Sequence, residues 1–105
     1  MSQTTNIILS FPTGEKDFLT KVNKYFEKRY EEDGKPGRGL VLVEGIYMQV
    51  EIAMGSFNYL RMDELKKHLN TIQIENEILV ELLYREELFD SSWQGWIVGT
   101  NITSE

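Results

Sequence analysis

Hydrophobic and polar residues alternate most regularly over residues 46–54, where Ile46, Met48, Val50, Ile52 and Met54 share one phase and Tyr47, Gln49, Glu51 and Ala53 the other. A period of two is that of a half-buried β-strand. Preceded by Leu40, Val41, Leu42 and Val43, this arm predicts a β-hairpin over residues 39–54, with a two-residue turn at Glu44 and Gly45. Its five apolar positions are expected to face the core, covered by helices.

Elsewhere the periodicity is easier to assign. Ile7, Leu9 and Phe11 alternate with Ile8 and Ser10 over residues 6–11, a first strand closed by Pro12, Thr13 and Gly14. Over residues 15–32 the spacing of Phe18, Leu19, Val22, Tyr25, Phe26 and Tyr30 is helical, with Thr13 as a candidate cap. The following Gly/Pro-rich stretch, residues 33–39, reads as a mobile connector. Residues 57–62 extend the hairpin or form an edge strand. Asp63 is the expected N-cap of a second, short helix reaching residue 70, with Leu65 and Leu69 inward and Lys66 and Lys67 exposed.

Residues 74–89 admit two readings. Ile78, Val80, Leu82 and Tyr84 against Leu79, Glu81, Leu83 and Arg85 fit a strand buried on both faces, while the residue types also favour a helix with Glu81 and Arg85 paired at i, i+4. A helix would bury Glu75 and Glu86, so strand is preferred. A turn at residues 90–92 then leads to a last strand over residues 93–99. The order β-α-β-β-α-β, with a further C-terminal strand, predicts one α+β domain spanning residues 1–105: a two-layer ferredoxin-like sandwich with both helices on one face of an antiparallel sheet.

Charge changes this picture in one respect. The 105 residues carry a net charge of −6, and residues 75–105 hold seven acidic residues against Arg85 alone. That field repels phosphate backbones and favours basic partners. Cysteine is absent, which removes disulfides and thiolate chemistry and fits a reducing compartment. The first residues lack the basic and apolar regions of a signal peptide, and no run approaches the roughly 18 apolar residues of a membrane span. The location expected is cytoplasmic.

Candidate chemistry is sparse. His68 is the only histidine and has no second His or Cys to join it in a metal site; it reads as an exposed helix residue. Gly34 to Gly39, with Lys35, Gly37 and Arg38, resembles a phosphate cradle in composition, but it follows a helix and precedes a strand, the reverse of nucleotide loops. Lys21, Lys24 and Lys28 form a ridge on the first helix, diluted by neighbouring acids. The hairpin strand offers Tyr47, Gln49 and Glu51 in place of the stacked aromatics of an RNA reader. Glu75, Glu77, Glu81, Glu86, Glu87 and Asp90 match no calcium loop, and nothing singles out two of them as an acid and base. No metal and no cofactor is expected.

Aromatics beside carboxylates carry more weight, because an exposed ring supplies apolar area and acids supply steering at protein interfaces. Trp93 and Trp96, three apart in a strand, point to opposite faces, so one belongs to the core, Trp96 being the stronger candidate. The expected function is a small acidic, non-enzymatic protein-binding module of the inhibitor or immunity type. Its partner site is expected at Glu86, Glu87, Asp90, Trp93, Trp96 and Tyr59, docking on a basic, for example nucleic-acid-binding, protein. The alternative is a ferredoxin-like small-ligand sensor using Lys35, Gly37 and Arg38, with a homodimer open in either case.

Overall fold

A computed structural model describes residues 4–14, 16–44, 50–72, 80–86 and 92–98. Strand β1 (Thr4–Pro12) alternates as its sequence dictates, with Thr5, Ile7, Leu9 and Phe11 buried. A turn through Gly14, whose φ of 96° suits a residue without Cβ, leads into α1 (Lys16–Arg29). Phe18, Val22 and Phe26, four residues apart, form its buried stripe. Asp17 in the first turn and Lys28 and Arg29 in the last complement the helix dipole.

The connector after α1 is tied down where mobility was expected. Glu32 and Lys35 exchange backbone hydrogen bonds of 3.0 and 2.9 Å around Asp33 and Gly34, both at positive φ (54° and 77°), the geometry that Asp-Gly favours in a two-residue turn. Gly37 N donates to Glu27 O at 2.9 Å, and a Cβ on Gly37 would lie 2.5 Å from Tyr30 Cβ. Asn23 completes the anchor. Its Nδ2 donates to Leu40 O (3.0 Å) while Leu40 N donates to its Oδ1 (2.8 Å), fixing Leu40 in the core.

Strand β2 (Val41–Leu42) pairs antiparallel with β3 (Val50–Asn58), Val41 opposite Met54 and Leu42 opposite Ala53, and Val43 N donates to Ile52 O at 2.8 Å. The hairpin exists, but the two-residue turn at Glu44 and Gly45 does not, since it would set Val43 opposite Ile46. Such a turn demands a left-handed backbone at its first residue, which glutamate's Cβ disfavours. Residues 45–49, with Ile46 and Met48, lie outside the described residues.

The phase of β3 is also the reverse of that expected. Ala53 and Phe57 enter the core, whereas Ile52 is half-buried and Met54 exposed on the opposite face. The reason is steric: Phe26 of α1 stacks on Phe57 with ring centroids 4.2 Å apart, and a Cβ on Gly55 would meet that Phe57 ring at 2.9 Å. Small residues at 53 and 55 make room for α1, and sheet register carries the larger apolar side chains to the other side.

After Tyr59, at φ 56°, α2 (Met62–Thr71) begins one residue before Asp63; Arg61 is its N-cap, without a side-chain cap bond, and lies 3.6 Å from the Asp63 carboxylate. Leu65 and Leu69 are buried as expected. Lys66 is not simply exposed: its Nζ donates to Tyr84 Oη at 3.0 Å. Strand β4 (Glu81–Glu86) makes this part of residues 74–89 a strand, buried on one face through Leu82 and Tyr84 rather than on both, with Leu83 exposed on the other; residues 74–79 and 87–89 lie outside the described residues. Strand β5 (Gln94–Ile97) pairs with β4.

The five strands form one antiparallel sheet of order β2-β3-β1-β4-β5. Phe18, Val22 and Phe26 of α1 and Leu65 and Leu69 of α2 share a core with Ile7, Leu9, Phe11, Ala53, Phe57, Leu82, Tyr84 and Trp96. This is an α+β fold with both helices on one face. Among the described residues no helix is long and apolar enough to cross a membrane.

Candidate functional site

Two helices cover one face of the sheet, so alternation along each strand assigns the other set of side chains to the open face. Register then places Val41, Met54, Ile8, Leu83 and Gly95 side by side, one from each strand in the order β2-β3-β1-β4-β5. A row on one side of this line holds Ile52, Ser10, Glu81 and Ile97, and a row on the other holds Ser56, Asn6 and Arg85. Exposure of Val41 (70%), Met54 (44%), Leu83 (39%), Ile97 (42%) and Trp93 (43%) makes this a contiguous apolar surface. Patches of that kind on soluble domains mark interaction sites, whereas single exposed apolar residues do not.

The face has relief and polar margins. Gly95, lacking a side chain between Leu83 and Ile97, opens a concavity of about 390 Å³ between β4 and β5. Ser56 Oγ donates to Asn6 Oδ1 at 2.6 Å, and the Arg85 guanidinium sits 5.2 Å from the centre of the Trp93 ring. Arg85 Nε is buried and has no hydrogen-bond partner among the described residues. Glu81 is exposed. Chemically the surface can desolvate apolar side chains and pair one anion and one cation.

The sequence-predicted partner residues separate. Trp93 and Glu86 lie at one end of the sheet beside Arg85, Glu86 opposite Thr5 of β1. Tyr59 follows the end of β3 at that same end, where Asn58 pairs with Thr4, and is exposed. Trp96 is core, 9% exposed, with Lys66 Nζ 5.6 Å from its ring centre. Glu87 and Asp90 lie outside the described residues, as do Glu75 and Glu77. Of the remaining acids, Glu81 and Glu86 sit on opposite phases of β4, about 17 Å apart along the strand, and do not converge as an acid and base pair. Arg85, Leu83, Ile97, Met54 and Val41 were missed by sequence reasoning.

The alternative ligand loop places Lys35, Gly37 and Arg38 around a concavity of about 380 Å³ that Glu32 and Asp33 also line. The amides of Lys35 and Gly37 donate to Glu32 O and Glu27 O, so neither points at a would-be anion. A larger groove of about 620 Å³ between the helices is lined by Lys24, Tyr25, Lys28, Arg29, Glu64 and His68. Several of its groups are already committed. Tyr25 Oη donates to Glu64 Oε1 (3.1 Å), Arg29 Nη2 donates to Tyr59 O (2.9 Å), and His68 Nε2 lies 2.9 Å from Lys21 O. Burial first, then the Glu64 hydrogen bond and charge, push the Tyr25 phenol up to about 12. Among the described residues no group of three or more His, Cys, Asp or Glu side chains could hold a metal ion.

No protein-family model matches the chain, and no curated protein and no solved structure matches it.

Proposed function

We propose that this protein is a non-catalytic protein-binding module that docks through the open face of its sheet, with the acidic end steering basic partners toward it. The observation that carries this reading is the apolar row Val41, Met54, Ile8, Leu83 and Gly95, which crosses every strand and is left uncovered by both helices. Trp93 is its aromatic anchor, and Glu86, with Glu87 and Asp90, supplies the long-range attraction. An inhibitor or immunity-type role, in which carboxylates stand where phosphates would bind, fits this layout.

The finer architecture belongs to the same proposal. A β2-β3-β1-β4 core with antiparallel neighbours and both helices on one face supports a ferredoxin-like sandwich to which β5 is added.

Affinity capture at low salt tests the function, using the wild type, a Trp93→Ala variant and a Glu86→Lys/Glu87→Lys/Asp90→Lys variant. A basic protein retained by the wild type is expected to be lost from both. Equal retention by the charge-reversed variant at low salt overturns the steering role, and equal retention by Trp93→Ala overturns the anchor.

A further inference from the structure

We propose that the open face is occupied by a second copy of this chain, in a face-to-face dimer whose two-fold axis runs along the Val41–Met54–Ile8–Leu83–Gly95 row. This rests on the reading of that face as a docking surface and names its occupant. Face-to-face packing of identical sheets requires a two-fold axis lying in the interface. Two such axes follow the sheet's own directions, one along the strands and one across them.

The axis across the strands makes the face complementary to itself. It lays β4 antiparallel over β4 of the copy and reverses position along each strand about Leu83. Glu81, two residues before Leu83, then faces Arg85 of the copy, and Arg85 faces the copy's Glu81. Within one chain these two are about 13 Å apart along β4, too far to pair. Ile97, in the Glu81 row, meets Trp93 beside the copy's Arg85, and Ser10 meets Asn6. The apolar row meets itself. An axis along the strands, centred on β1 for full overlap, would instead lay β4 over the copy's β3 and set Glu81 against Ile52 and Arg85 against Ser56, leaving both charges covered without a counter-charge.

Two further observations agree. Arg85, whose Nε has no partner among the described residues, gains a carboxylate beside its guanidinium. The strands, nine residues each in β1 and β3, six in β4, four in β5 and two in β2, at about 3.3 Å per residue and about 4.8 Å between strands, present about 480 Å² in projection. Counted over both copies that is about 1,000 Å², the lower bound of a specific interface. The two open faces, about 10 Å apart, would then form a sandwich core. A basic partner that docks on the same face competes with the second copy.

Sedimentation equilibrium over a concentration series, with circular dichroism to verify folding, tests the proposal through charge reversal. The wild type is expected to sediment as a dimer. Glu81→Arg gives a face with two cations and Arg85→Glu one with two anions, so each alone is expected to raise the dissociation constant roughly tenfold or more. An equimolar mixture of the two places Arg opposite Glu at both contacts, and is expected to return the dimer at wild-type strength. A wild type that stays monomeric at millimolar concentration overturns the dimer, as does unchanged dimerisation of either variant or a mixture that remains monomeric. Failure of the docking reading is seen separately: the wild-type, Trp93→Ala and Glu86→Lys/Glu87→Lys/Asp90→Lys proteins are compared in capture, Glu86 lying in the opposite phase of β4 from Glu81 and Arg85.

Discussion

Lys66 Nζ donates to Tyr84 Oη across 3.0 Å and lies 5.6 Å from the centre of the Trp96 ring, so one cation of α2 is held above two aromatic residues on neighbouring strands. Its aliphatic stem covers the β4–β5 end of the core while the ammonium keeps a polar partner. Lys66→Ala removes the hydrogen bond and the cation–π contact together, and is expected to destabilise the fold by about 1–2 kcal/mol. Lys67→Ala, at the exposed neighbouring position, is expected to stay within about 0.5 kcal/mol of wild type. Urea unfolding of the two variants side by side measures the difference.

Asn23 holds both backbone groups of Leu40, accepting from its N–H and donating to its carbonyl. Asn23→Ala leaves a part-buried donor and acceptor without these partners, at a cost of about 2–3 kcal/mol. Because this clamp anchors the connector between α1 and β2, limited proteolysis between residues 33 and 39 is expected to accelerate. Asn23→Asp keeps the acceptor and loses the donor, and should fall between wild type and alanine.

Tyr25 titrates late, its phenol pushed from the ordinary 10.0 up to about 12 by burial and by its bond to Glu64. A raised folded-state value means the protonated phenol stabilises the native state. That contribution is fully present below pH 10 and is lost as pH rises toward 12, because the unfolded chain ionises first. Tyr30, raised by burial, acts in the same direction. Absorbance of tyrosinate is expected to show a late-titrating class that shrinks in Tyr25→Phe, and urea midpoints of that variant should fall less steeply above pH 10 than those of wild type.

Strand β1, helix α1 and strand β5 were legible because each carries large apolar residues in a single phase: Ile7, Leu9 and Phe11; Phe18, Val22 and Phe26; Trp96. The phase of β3 was not, because its core side is marked by Ala53 and Gly55, whose small size matters only once Phe26 arrives from another element. The site divides the same way. Trp93 stood out as an aromatic among acids, but Val41, Met54, Ile8 and Leu83 are each ordinary alone and become a surface only through the register of five strands. One local signal pointed to it: residues 78–85 carry apolar side chains on both phases, Leu79 and Leu83 sharing the second with Glu81 and Arg85, and two helices can cover only one phase.

The phase of β3 has a direct consequence for mutation. Ala53 is fully buried in the core, so Ala53→Leu overpacks the site and is expected to cost about 1–3 kcal/mol. Met54 sits on the other face and is 44% exposed, so Met54→Thr removes little buried area and is expected to cost under about 1 kcal/mol in the monomer. The opposite phase reverses both outcomes: leucine at 53 would extend into solvent at no cost, and threonine at 54 would open a cavity worth about 2–4 kcal/mol. Urea unfolding at low protein concentration in a Glu81→Arg background, where dimerisation is expected to be weakened, separates the two patterns. A larger loss from Met54→Thr than from Ala53→Leu would overturn the open face on which both the docking surface and the dimer depend.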